Sequence, residues 1–405
     1  MTSTTPHRRW RVLLGAALAV GMMTACGSND DSGDEATPAT SATIKSYDKS
    51  VAGVVEAAEA FLATLDDTEK TSVQLDLTQA NAIAWSNLPC GSTCRPGIEF
   101  GNLDDSQVAA GKSVLLTALG TGTGTGFERV AQIFLADDYL GSVQASSGTS
   151  AGPGGGMSGG PGGGMSGGPG GAMPSGGSMS GGTGGLGGYD AGNYYMAFLG
   201  TPSSTGTWQL HFGGHHLAVN LTYKAGAVAG ASPFFVGVEP TSWSDSAGTT
   251  HEPLQDMKAA MLAMTTGLST AEQTKAKLSQ SFSDVLLGPG EDGQFPATKQ
   301  GLAVGALTDA QKKLVLAAIK PWVANADDAT ATALMSTYES ELDKTYIGWS
   351  GTTGLTKHAD YVRIDGPSVW VEFVCQNGVV LQNQIHYHTI YRDHTRDYGG
   401  EFTFA

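Results

Sequence analysis

Six of the nine histidines in this 405-residue chain fall in two short stretches. His211, His215 and His216 lie in "QLHFGGHHLAVNLTY", and His386, His388 and His394 lie in "IHYHTIYRDHTRDYGG". Neutral imidazole is a common ligand for zinc and copper, and an H-x-H strand projects both rings from one face. Arg392, Asp393 and Asp397 follow the H-x-H pair, and Glu239 stands in "FFVGVEP". These charged groups are candidates for orienting the imidazoles from a second layer or for contacting a substrate. The competing expectation for such a strand is a solvated antiparallel face. The concentration of histidines favours a metal, copper or zinc.

Residues 207–223 alternate polar and apolar as a half-buried strand pair does. If Gly213-Gly214 is a two-residue hairpin turn, Trp208, Leu210, Phe212, His215, Leu217, Val219, Leu221 and Tyr223 share one face. Gln209, His211, His216, Asn220 and Thr222 share the other. His211 then lies opposite His216, with Cβ atoms about 4.5–5.5 Å apart. Adjacent His215 and His216 are sent to opposite faces, His215 as a core histidine and His216 as the better ligand. If the glycines form a bulge instead, this pairing dissolves.

The elements that position these strands are legible in part. "YDKSVAGVVEAAEAFLATL" carries a helical apolar stripe, and further helices are expected at about 106–119, 126–140, 270–280 and 309–320. "ATALMSTYESELDKTYIGW" adds another. "LDDTE" at 65, "LDDSQ" at 103, "LSTAE" at 268 and "LTDAQ" at 307 each read as a staple and capping box opening a helix. Four such helix starts do not by themselves require a duplication. Strands at 369–376 and 379–392 flank Asn377-Gly378, a tight-hairpin signal. Helices and strands are grouped rather than alternated, so the expected class is α+β with a mainly antiparallel sheet.

Arg8, Arg9 and Arg11 precede the apolar run "VLLGAALAVGMMTA", and Met23-Thr24-Ala25-Cys26 resembles a bacterial lipobox. Residues 1–25 are thus expected to be a lipoprotein signal peptide. Cys26 would be lipidated, anchoring the protein to the bilayer on the extracytoplasmic face of the cell membrane. Residues 26–45 read as a disordered acidic tether and 46–405 as one α+β domain. The chain carries a net charge of −16; losing three arginines and no acids moves it to −19, which argues against a nucleic-acid partner. Cys90 and Cys94 in "CGSTC" are expected to form a disulfide in an exported chain, leaving Cys375 as a buried thiol.

Residues 146–188 are nearly all Gly, Ser, Pro and Met, with "PGGGMSGG" recurring, and read as a disordered insert. Met157, Met165, Met173 and Met179 are soft thioethers of the kind that select Cu(I), or belong to a compositional spacer. If Met and His bind one element, copper fits better than zinc. Neither a phosphate loop nor H-E-x-x-H occurs.

"YYMAFLGTPSSTGTWQLHFGGHHLAVNLTY", "SPFFVGVEP", "IHYHTIYRDHTRDYG" and "AWSNLPCGSTCRPGIEFGNLDDSQ" together resemble the bacterial domain of unknown function 3500 family. The likeness covers nearly all of the chain beyond the tether, apart from the Gly/Met insert. It implies one continuous exported domain and draws attention to His215, His216, His386 and His388, but it supplies no reaction. The expectation is therefore a membrane-anchored lipoprotein binding a transition metal, copper favoured, through strand histidines. Its rivals are a metal-dependent hydrolase or oxidase and a metal-free ligand-binding protein.

Overall fold

Four helices begin where the sequence marks them, whereas the helix Gln255–Thr266 has no such mark. In the computed structural model, which describes residues 42–147 and 188–404, all four capping boxes form. The side chains of Asp66, Asp104, Ser269 and Thr308 accept from the backbone N–H three residues on, and the Glu or Gln there reaches back to the cap. The boxes also interlock in pairs. Gln107 donates to Glu69 and to the carbonyl of Thr64, and Gln311 donates to Glu272 and to the carbonyl of Gly267. Cys26, its flanking signal and tether, and the Met-bearing insert lie outside the described residues.

These interlocked starts belong to two successive runs of like order. The first holds helices α1 (Val51–Ala63), α2 (Asp67–Val73), α3 (Asp105–Ala118) and α4 (Gly126–Ser147). Strands β1 (Tyr195–Leu199), β2 (Thr207–Gly214), β3 (Leu217–Lys224) and β4 (Phe234–Val238) follow. The second holds α5 (Gln255–Thr266), α6 (Thr270–Ala276), α7 (Asp309–Val323) and α8 (Asp328–Ser340). It ends in β5 (Tyr346–Ser350), β6 (Tyr361–Asp365), β7 (Val369–Asn377) and β8 (Ile385–Asp393).

Within a twelve-stranded sheet these eight strands lie in the order β1-β2-β3-β4-β8-β7-β6-β5, an order that reads alike from either edge, with antiparallel β4 and β8 at its centre. Outside each end, a short strand pairs antiparallel in matching register, Ile98 with Met196 and Leu302 with Ile347. The residue before each is a glycine with positive φ, Gly97 and Gly301. A Cβ at either would lie 2.2–2.3 Å from the carbonyl oxygen of the facing strand residue. The fold is α+β, as the grouping of elements predicts.

One face of the sheet carries Trp208, Leu210, Phe212, Leu217, Val219, Val236, Val371, Phe373 and Tyr391 into the main core beneath the helices. The other face is closed by two long connections, 76–97 and 279–300. Their Trp85, Phe282 and Val285 pack on Ala218, Phe235, Tyr361, Val374 and Ile390. Among the described residues no helix is long and apolar enough to cross a membrane.

Two turns fall elsewhere than their glycine signals predict. Gly213 and Gly214 stay in β2, paired with Ala218 and Leu217, so the turn is His215-His216 itself. Both glycines serve close packing: a Cβ at Gly214 would meet the Tyr194 ring at 2.8 Å, and one at Gly213 the Leu217 carbonyl oxygen at 2.4 Å. Asn377-Gly378 does not form a tight hairpin either. β7 ends at Asn377 opposite Ile385, and residues 378–384 form a longer loop. That loop is held by Glu239, whose carboxylate accepts from the backbone N–H groups of Val379, Val380 and Leu381.

Candidate metal centre

β8 runs beside β4 with His388 opposite Gly237, and the pleat turns His386 and His388 to the same face, beneath the connecting loops. Their Nε2 atoms are 3.2 Å apart. The β2–β3 turn brings His216 to the same place. Gly237 makes room for it: its N–H donates to the His216 carbonyl, and a Cβ there would lie 2.9 Å from Cδ2 of both His216 and His388. One ligand atom from each of His216, His386 and His388 lies within 4.8 Å of the others, and all three residues are buried.

Two carboxylates set the tautomers. Asp137 Oδ1 lies 2.8 Å from His216 Nδ1, and Asp284 Oδ1 lies 2.9 Å from His388 Nδ1. An ionised carboxylate only accepts, so each Nδ1 carries the proton and each Nε2 presents its lone pair. This is the carboxylate–histidine pairing that commonly backs a metal ligand. Tyr194 donates to the other Asp137 oxygen at 2.5 Å. Asn87 donates to Asp284 Oδ2 at 3.2 Å. Although burial raises the Asp284 carboxyl, the His388 imidazole and its hydrogen bonds bring it below the ordinary range. Burial, and then the neighbouring His388 and His216, push His386 down to about 2. A neutral imidazole there keeps a lone pair that could bind a metal.

His215 does not point away from His216. With both residues in the turn, the rings sit 3.9 Å apart, and His215 Nε2 is 3.4 Å from Asp137 Oδ1. Tyr189 packs edge-on against His215 at 4.5 Å. Asp137, His215 and His216 form a second group of converging ligand atoms.

The remaining candidates lie elsewhere. His211 is opposite Asn220 rather than His216, because the turn is displaced. It is buried beside Gln209, and burial lowers it to about 4. His394 lies past the end of β8, stacked on Phe295 at 3.9 Å with Asp365 3.4 Å away. Arg392 shares the H-x-H face, but its guanidinium is committed to Asp292 and Asp397, each at 2.9 Å. Asp393 accepts from Tyr338 and from the backbone of Thr395 and Arg396. The carboxylates that orient the imidazoles are thus Asp137 and Asp284, not Asp393 and Asp397. Glu239 holds the 378–384 loop.

Asp137 left a trace in the sequence: it occupies the apolar stripe of α4 with Val130, Ile133, Phe134 and Leu140, where a carboxylate needs a partner. Asp284 and Asn87 sit in irregular connections that no periodicity marks. Cys90 and Cys94 form a disulfide. Next to it Arg95 holds the carbonyls of Ser86 and Leu88, fixing the segment that carries Asn87. Cys375 is a buried free thiol, raised to about 12 by burial.

Residues 47–400 match the family described as a protein of unknown function, DUF3500. The chain belongs to this family. No curated protein and no solved structure matches it.

Proposed function

We propose that this DUF3500 protein holds one transition-metal ion on His216, His386 and His388. The observation that carries the reading is the convergence of three buried ligand nitrogens, two of them with tautomers fixed by carboxylates. Two donors bound at about 2.0–2.1 Å on a tetrahedral ion stand about 3.3 Å apart, close to the 3.2 Å between His386 and His388. Imidazole suits both copper and zinc. Copper is favoured because Met157, Met165, Met173 and Met179 place four soft thioethers in the same chain. The lipobox ending at Cys26 supports anchoring at the extracytoplasmic membrane face.

Elemental analysis of untagged protein tests the metal. Wild type should carry at least one ion per chain, and His216→Ala and His386→Ala should lose the ion of this group. Deletion of 153–182 should lower copper occupancy and leave zinc untouched if the thioethers assist copper. Unchanged metal content in both histidine variants would refute the centre. Cys26→Ser should move the protein from the membrane fraction to the soluble one, and retention at the membrane would refute the lipid anchor.

Among the described residues three ligands converge rather than four, which favours a second reading, a metal-dependent hydrolase or oxidase with an open coordination position. Azide added to the Cu(II) form should then shift its absorption spectrum. A spectrum indifferent to azide would argue for storage or structural binding.

A further inference from the structure

His216 belongs to both ligand groups. Its Nδ1 faces Asp137, which leaves Nε2 as the lone pair free for the group with His386 and His388, while Asp137 and His215 converge with it in the other group. The second group has the spacing of a coordination shell. Asp137 Oδ1 is 2.8 Å from His216 Nδ1 and 3.4 Å from His215 Nε2. Donors bonded at about 2.0–2.1 Å stand about 2.9 Å apart at a right angle and about 3.3 Å at a tetrahedral one. His215 Nε2 is buried without a hydrogen-bond partner, in a residue 5% exposed and aimed at this carboxylate. A buried polar atom left so normally costs stability, and an ion between it and Asp137 would satisfy it.

We infer that His216 bridges two metal ions as an imidazolate, the first on His386 and His388 and the second on His215 and Asp137. The inference rests on the metal reading of the first group and extends it. When the second ion binds, the His216 Nδ1–H bond breaks and the proton leaves to solvent. The nitrogen lone pair then bonds to the ion, with no change of oxidation state. Imidazolate and Asp137 together supply two negative charges to a divalent ion, so Zn²⁺ and Cu²⁺ suit this position and Cu⁺ does not. Tyr194 keeps Asp137 in place through its other oxygen. The buried guanidinium of Arg95 acts electrostatically on Asp137 and His215. Its charge opposes a cation there, so the second ion binds more weakly than the first.

The test is the stoichiometry and magnetism of the metal-loaded full chain. Chelator-stripped protein titrated with Zn²⁺ should take up two ions, the second more weakly. His215→Gln and Asp137→Asn should each take up one. Fully loaded with Cu²⁺, wild type should show an electron paramagnetic resonance intensity well below its copper content, because ions joined by imidazolate couple antiferromagnetically. That measurement decides the matter even if a variant fails to fold. One ion in wild type, lost in His386→Gln and kept in His215→Gln, would overturn the bridge and leave the three-histidine centre standing. Two coppers at full signal intensity would likewise overturn the bridge. A zinc count unchanged by His386→Gln would remove the centre and the bridge with it.

Discussion

Gly237 sits against the imidazoles of His216 and His388, 2.9 Å from each Cδ2 as measured from where its Cβ would stand, and 3.0 Å from the Tyr387 carbonyl oxygen. The carbonyl belongs to β8 and cannot yield, so a methyl group must push the two rings apart. Gly237→Ala should weaken Zn²⁺ binding at least about tenfold, since an ångström of misplacement is costly in a preorganised site, while the far-ultraviolet dichroism stays native. Competition with a chelating dye measures this, and an unchanged affinity would show that the rings do not act together. His211 offers a separate check on burial. Its folded value of about 4 lies below the unfolded value of about 6.5, so between these the unfolded chain binds more protons. The stability it contributes is full above about pH 6.5 and is lost as pH falls toward 4, at about 1.4 kcal/mol per pH unit. In urea melts of metal-free protein at pH 7, 5 and 4, His211→Gln should lose less stability on acidification than wild type. Parallel slopes would mean that His211 titrates alike in both states.

Legibility at the level of elements followed the range of the forces involved. The four capping boxes were readable because cap and partner are three residues apart, and all four form. Asp104→Ala removes the acceptor for the N–H groups of Ser106 and Gln107 and should cost about 1 kcal/mol in a denaturant melt. A cost near zero would mean that water caps α3 equally well. The Gly-Gly turn signal misleads for the converse reason. Its glycines answer to the Tyr194 ring and the Leu217 carbonyl, which sequence spacing does not reveal. The displaced turn parted His211 from His216 and brought His215 and His216 together. In the same way, pleat parity placed His386 and His388 on one face correctly, whereas Asp137 and Asp284 reach them only through tertiary packing of α4 and of the 279–300 connection.

The whole molecule explains why the centre lies where it does. Two runs of like order meet at β4 and β8, and the candidate centre lies across that seam. The first run supplies His216, Asp137, Asn87 and Gly237, and the second supplies His386, His388 and Asp284. Neither run alone holds more than two of the three ligands of the first group. Separation would also bare an apolar strand as a sheet edge: Phe234, Phe235, Val236 and Val238 in one run, Ile390 and Tyr391 in the other, all buried in the intact chain. The link between the runs passes through an exposed turn at residues 245–249, where Gly248 has open space around it. A chain cut between Ala247 and Gly248 should therefore yield two pieces that associate when co-expressed and bind the metal together. Each piece made alone should bind it at least about a hundredfold more weakly, because losing even one ligand of three removes a metal–nitrogen bond. Isothermal titration with Zn²⁺ on the separate and the mixed pieces measures the difference. Intact affinity in the second piece alone would show that His386 and His388 suffice and that the seam is incidental to binding.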